Sequence, residues 1–122
     1  MQNLQKGGRS MAMIDWTQVN TLRDEIGRES FDEIIEIFIE EVEQVIDRLR
    51  SDPDPETLGD DLHFLKGSAL NLGFSEFSDQ CQIGESASSK GAAADVDVEG
   101  ILASYENSKA LFMAELPEAL NA

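Results

Sequence analysis

The chain has 122 residues, 41% of them hydrophobic, and a net charge of −16. That length suits one domain with a single core, and no apolar run approaches the ~20 residues a membrane span needs. The acidic field repels phosphate backbones and argues against direct nucleic-acid binding. One cysteine, Cys81, excludes an intrachain disulfide or a cysteine zinc site. Its place in an amphipathic pattern makes it a buried apolar filler. With no apolar stretch near the N-terminus to suggest a secretory signal, the expected setting is cytoplasmic.

Residues 1–12 are polar, glycine-containing and aperiodic, and read as a disordered leader, with the domain over 13–122. Asp15 is placed to cap a short first helix carrying Trp16, Val19, Leu22 and Ile26, with Gly27 as its stop. Ser30 and Glu33 form a capping box for the second helix. Its seam is Phe31, Ile34, Ile35, Phe38, Val42, Val45, Ile46 and Leu49, and it ends at Ser51-Asp52-Pro53. Asp54-Pro55 opens a third helix running to Leu72, with Gly73 as its stop. Ser75 or Ser78 caps a fourth, to about Ser89, with Phe77, Cys81 and Gly84 facing in. Lys90 to Ala94 is a loop, and a fifth helix runs from about Asp97 to Leu116, before Pro117. The expected fold is all-α: an up-down four-helix bundle with a short additional N-terminal helix across one end.

His63 is the single histidine. With His63 at 0° and about 100° per residue, Leu58, Leu62, Leu65, Ala69 and Leu72 cluster between about 180° and 260°. They form the core stripe, and His63 points to solvent. Gly59 and Gly67 flank it by one turn at about 320° and 40°. Each mid-helix glycine costs about 1 kcal/mol relative to alanine. Either they clear the approach to the imidazole, or a neighbouring helix packs closely there. Lys66, at about 300°, is the only base between Arg50 and Lys90. It is either a cation for an incoming phosphoryl oxygen or a solvated surface lysine. Leu70, at about 340°, is either a docking contact or a plain surface leucine.

The run His63-Phe64-Leu65-Lys66-Gly67-Ser68-Ala69-Leu70-Asn71-Leu72-Gly73 resembles the H-x-L-K-G-S-(S/A)-x-x-(L/I)-G signature of the histidine phosphotransfer (HPt) domains of two-component phosphorelays. Phe77-x-x-x-Cys81-x-x-x-Glu85 and a final leucine-rich helix also agree, so that the likeness spans about Ile14 to Leu120. The resemblance implies a phosphocarrier that relays a phosphoryl group between receiver-domain aspartates in a bacterial-type phosphorelay. His63 would accept it through Nε2, Lys66 would stabilise it, and Gly67 would keep the approach open. Leu70, Gly59 and Phe64 would dock the partner. A polar residue of the next helix (Gln80, Gln82 or Glu85) would touch the imidazole. The implied partners are receiver domains of response regulators or a hybrid histidine kinase, with Mg²⁺ on the receiver, no cofactor or metal of its own, and a monomeric chain.

Phosphoryl chemistry agrees with this reading independently. A neutral imidazole is a competent nucleophile near pH 7, and transfer needs positioning and charge neutralisation above all. No G-x-x-x-x-G-K-S/T loop is present, which argues against an ATP-dependent kinase. Asp52-x-Asp54-x-Glu56 fails as a calcium loop, because Thr57 replaces the turn glycine and His63 the bidentate glutamate. The competing expectation is a helical adaptor that binds a kinase or receiver without transferring phosphate.

Overall fold

A computed structural model describes residues 13–121, with side chains over 13–117. The expected leader, residues 1–12, lies outside the described residues. Among the described residues there are five α-helices: α1 (Trp16–Ile26), α2 (Arg28–Ser51), α3 (Leu58–Leu72), α4 (Ser75–Ser89) and α5 (Val98–Asn121). One turn of 3₁₀ helix, Ala93–Asp95, lies in the loop before α5. Helices α2 to α5 touch in cyclic order, each packing on the two beside it, and α3 on α4 is the most extensive contact. The architecture is the all-α, up-down four-helix bundle that the periodicity predicts.

The short α1 closes the bundle at the α3–α4 corner. Asp15 Oδ1 accepts from the Gln18 N–H at 3.2 Å, as the N-cap reading requires. The Asp15 N–H donates to the Gly73 carbonyl at 2.7 Å, Ile14 forms a bridge with Phe74, and Trp16 stacks on Phe112 at 5.7 Å. Phe74 meets Phe112 edge-on at 5.2 Å, and Phe77 lies 5.3 Å from Tyr105. Phe74, Phe77, Tyr105 and Phe112, with Leu62, Leu65 and Leu72, form the enclosed centre, and Trp16 covers it from α1. Replacing one such leucine with alanine costs about 2–5 kcal/mol.

Three helix starts differ from expectation. The Ser30–Glu33 capping box is not formed: α2 begins three residues earlier, directly behind Gly27. Gly27 has φ +88°, so it turns the chain in one residue, and its carbonyl accepts the Ser30 N–H. Asp54 heads a turn instead of capping α3. Its Oδ1 accepts from the Glu56 N–H at 2.9 Å, and its carbonyl accepts from the Thr57 N–H, so α3 starts at Leu58. Neither Ser75 nor Ser78 caps α4. Phe74 occupies the cap position because its ring anchors the corner, Ser75 is the first helical residue, and Ser78 is buried within the helix.

The helix ends show one agreement and one difference. Gly73, at φ +79°, ends α3 in a Schellman arrangement, with the Phe74 N–H on the Ala69 carbonyl at 2.8 Å and the Gly73 N–H on that of Leu70 at 3.3 Å. A Cβ at Gly73 would stand 2.7 Å from the Asp15 carbonyl oxygen, so the tight corner requires glycine. Pro117 lies inside α5, which continues to Asn121. A proline near a helix end forfeits one backbone hydrogen bond, which the last turn tolerates.

Candidate functional site

The stripe of α3 decides which way His63 faces. Leu58, Leu62, Leu65, Ala69 and Leu72 are all buried, which leaves the His63 side chain 70% exposed on the opposite face. Asp61, two residues earlier, is buried and accepts from Arg48 of α2 at 2.5 Å. That pair ties the start of α3 to the end of α2.

Across the α3–α4 corner, residues equally far from Phe74 face each other. His63 and Glu85 lie eleven positions either side of it, and Lys66 and Gln82 lie eight. His63 Nδ1 is 2.8 Å from Glu85 Oε2. The Lys66 ammonium lies 2.8 Å from Glu85 Oε1 and donates to Gln82 Oε1 at 3.0 Å. Gln82 Nε2 in turn donates to Ser86 Oγ at 3.0 Å. Lys66 holds the Glu85 carboxyl below the usual carboxylate range, His63 adds to the effect, and partial burial opposes it.

An ionised carboxylate can only accept hydrogen bonds. Nδ1 must therefore carry the proton, and the lone pair of the neutral imidazole lies on Nε2. Among the described residues Nε2 has no hydrogen-bond partner. The arrangement presents a nucleophilic nitrogen to solvent in one tautomer, with an ammonium one turn away. An open hollow of about 480 Å³ beside the ring is lined by Glu56, Asp60, Glu85, Ser88 and Ser89.

The remaining sequence candidates divide. Gly67 is exposed, and nothing lies within 4 Å of where its Cβ would stand. Leu70 is 57% and Phe64 40% exposed. Gly59 has a different setting: its Cβ would stand 3.0 Å from Ser88 Oγ, so it packs against α4 and is not an open docking surface. Of the three imidazole candidates, only Glu85 touches the ring. Gln82 contacts Lys66 instead, and Gln80 points to a separate pocket with Ile83, Val96 and Ile101 between α4 and α5. The sequence reading missed the Lys66–Glu85 pair, which counting outward from the Gly73–Phe74 corner would have found. Cys81 is fully enclosed, and burial pushes its thiol up to about 12, as befits a packing residue. A groove between α2 and α5 lies away from His63; there Glu43 accepts from Tyr105 at 2.8 Å and from Lys109. No described helix is long and apolar enough to cross a membrane.

Comparison with known proteins agrees with this geometry. The chain is 33% identical over 89 residues to the phosphorelay intermediate protein YPD1 of Candida albicans. That alignment covers 67% of the chain and 45% of the relative, so the chain spans less than half of that protein's length. No solved structure matches it significantly. The Hpt domain family matches over residues 33–122, and the chain belongs to that family.

Proposed function

We propose that the chain is a histidine-containing phosphocarrier whose His63 Nε2 takes a phosphoryl group from one receiver-type aspartate and passes it to another. The observation that supports this most is the exposed imidazole held by Glu85 with its lone pair on Nε2. In the accepting step the Nε2 lone pair attacks phosphorus in line. The N–P bond forms as the P–O bond of the aspartyl phosphate breaks, and the electron pair leaves on the carboxylate. The proton stays on Nδ1, where Glu85 stabilises the cationic phosphoimidazole. The onward step is the reverse, toward a second carboxylate. Lys66 reduces the charge of the incoming group, and Gly67 lets the partner backbone close over the ring. Leu70 and Phe64 form the apolar contact.

The partners under this reading are receiver domains of response regulators or of a hybrid histidine kinase, which bring the Mg²⁺. The carrier acts as a monomer. Its net charge of −16 opposes nucleic acid as a partner.

The test is transfer from a phosphorylated receiver domain. Wild-type protein should gain an acid-labile, base-stable label, and His63→Gln should remain folded and take none. Label retained by His63→Gln would overturn the assignment. Tight receiver binding with no label on the wild-type protein would favour the adaptor reading instead.

A further inference from the structure

The α3–α4 interface contains a glycine on each side. Gly84 of α4 is buried, and a Cβ there would stand 2.8 Å from Leu62 Cδ1, 3.2 Å from Ile101 Cδ1 and 3.2 Å from Val96 Cγ1. One turn along, a Cβ on Gly59 would stand 3.0 Å from Ser88 Oγ. Leu62 is 0% and Ile101 2% exposed, so neither methyl can swing into solvent. Added volume at position 84 must be met by displacing these methyl ends or by separating the helices, and the Leu62 methyl, fully enclosed on α3, passes the push to the α3–α4 spacing.

The consequence follows from register. Gly84 and Leu62 are the chain neighbours of Glu85 and His63, so the buried contact and the exposed hydrogen bond sit side by side. Ordinary carbon–carbon contact begins near ~3.5 Å. Relieving the 2.8 Å approach therefore needs about 0.7 Å of movement. The same movement would stretch the 2.8 Å His63–Glu85 bond to about 3.5 Å, the edge of hydrogen-bond range.

We propose that Gly84, supported by Gly59, is a positioning residue: its missing side chain sets the α3–α4 spacing at which Glu85 holds Nδ1 of His63 and so fixes which ring nitrogen is the nucleophile. The consequence for phosphoryl transfer rests on the function proposed above, whereas the consequence for the tautomer does not. Neither glycine touches the reacting atoms. Both act through Glu85, and a purely structural role would leave the tautomer unmoved.

The test compares wild type, Gly84→Ala, Leu62→Val and the Gly84→Ala/Leu62→Val pair, in which the obstructing δ-methyl is removed. Long-range ¹H–¹⁵N spectra of the imidazole, recorded where the ring is neutral, report the tautomer. Labelling of His63 by phosphoramidate, a small donor that needs no docking, reports the nucleophile. Wild type should show the Nδ1–H form, and Gly84→Ala a mixture with the Nε2–H form. Labelling of Gly84→Ala should slow by up to roughly tenfold, within the ~100-fold that a 1 Å misplacement can cause. The double variant should recover both readouts. A folded Gly84→Ala with the wild-type tautomer would overturn the inference, as would a double variant that regains stability but not the tautomer. Should Gly84→Ala fail to fold, Gly59→Ala with Ser88→Gly as its rescue gives the same decision: a shift reversed by the rescue supports the inference and an unshifted tautomer ends it. A tautomer that shifts as expected in a protein phosphoramidate never labels would leave the positioning role standing and remove the phosphocarrier reading.

Discussion

Gly67→Gln should make the protein more stable and a worse phosphoryl acceptor at once. Gly67 lies well inside the 15-residue α3, with open space where a Cβ would stand and no left-handed backbone to strain. Mid-helix glycine is about 1 kcal/mol worse than alanine, and glutamine recovers roughly half of that or more. In a domain of about 100 residues, ~0.5 kcal/mol raises Tm by about 2–4 °C. The same side chain would rise from a point one turn past His63 and only about 40° round the helix, roughly 6 Å along the axis. An aspartyl phosphate must come within ~3–3.5 Å of Nε2, and an error near 1 Å costs up to ~100-fold. Transfer from a phosphorylated receiver should therefore slow by about 10- to 100-fold. Labelling by phosphoramidate should stay within about twofold, because that small donor approaches the same nitrogen without docking. Urea denaturation and the two labelling rates on one preparation decide the matter. Equal slowing with both donors would mean that the ring, not its access, was disturbed. Transfer at the wild-type rate would refute the access argument, and lower stability would show that Gly67 has a packing role instead.

Leu70→Asp should weaken receiver binding by about 1–3 kcal/mol, measured by calorimetry, with the helical circular dichroism signal unchanged. Lys66→Met releases Glu85 from its strongest partner; the imidazole tautomer should loosen and the phosphohistidine lifetime should change, while receiver affinity measured by calorimetry stays near wild type. Glu43 is held below its ordinary value of 4.5, chiefly by Lys109 and with help from Tyr105, against partial burial. A lowered pKa stabilises the fold above the ordinary carboxylate range and is lost as pH falls through the folded value. Glu43→Gln should therefore lower stability at pH 7 by no more than about 1 kcal/mol after solvent screening, and denaturation curves should show that difference shrinking below about pH 4.5.

The placement of His63 was legible in the sequence because helical periodicity is a local property. Five apolar residues of α3 define a buried stripe, and the histidine falls opposite it whatever the rest of the chain does. The helix starts were less legible. Ser30, Asp54 and Ser75 are all good capping residues by type, yet which residue caps depends on how the preceding chain arrives. Gly27 turns in one residue and pulls α2 forward, Asp54 is used by its own turn, and Phe74 holds the cap position because its ring is needed at the corner. Contacts between helices were hardest to read. A wheel places Lys66 beside His63 but cannot show that its ammonium is engaged by Glu85, because that fact belongs to the pairing of α3 with α4. The corner at Gly73–Phe74 makes the pairing recoverable, since it fixes which residues are equidistant from the turn.

The three glycines of α3 and α4 look alike to a propensity scale, which assigns each about the same penalty. Their surroundings separate them. Gly67 has nothing near its missing Cβ, Gly59 has a hydroxyl at 3.0 Å, and Gly84 has three methyl groups from 2.8 to 3.2 Å, those of Leu62 and Ile101 fully buried. Alanine should therefore stabilise at 67, change little at 59 and destabilise at 84. Helical propensity alone would make all three substitutions favourable, so the order of the effects measures how far packing overrides propensity. The ordering also follows the chemistry. The face that a partner would cover under the proposed function is left open at Gly67, while the face toward α4 is closed tightly enough to hold a carboxylate against the imidazole. An exposed histidine on a mobile rim would sample both tautomers and many rotamers. Here a packed interface only one residue away removes that freedom from one ring nitrogen and leaves the other to solvent.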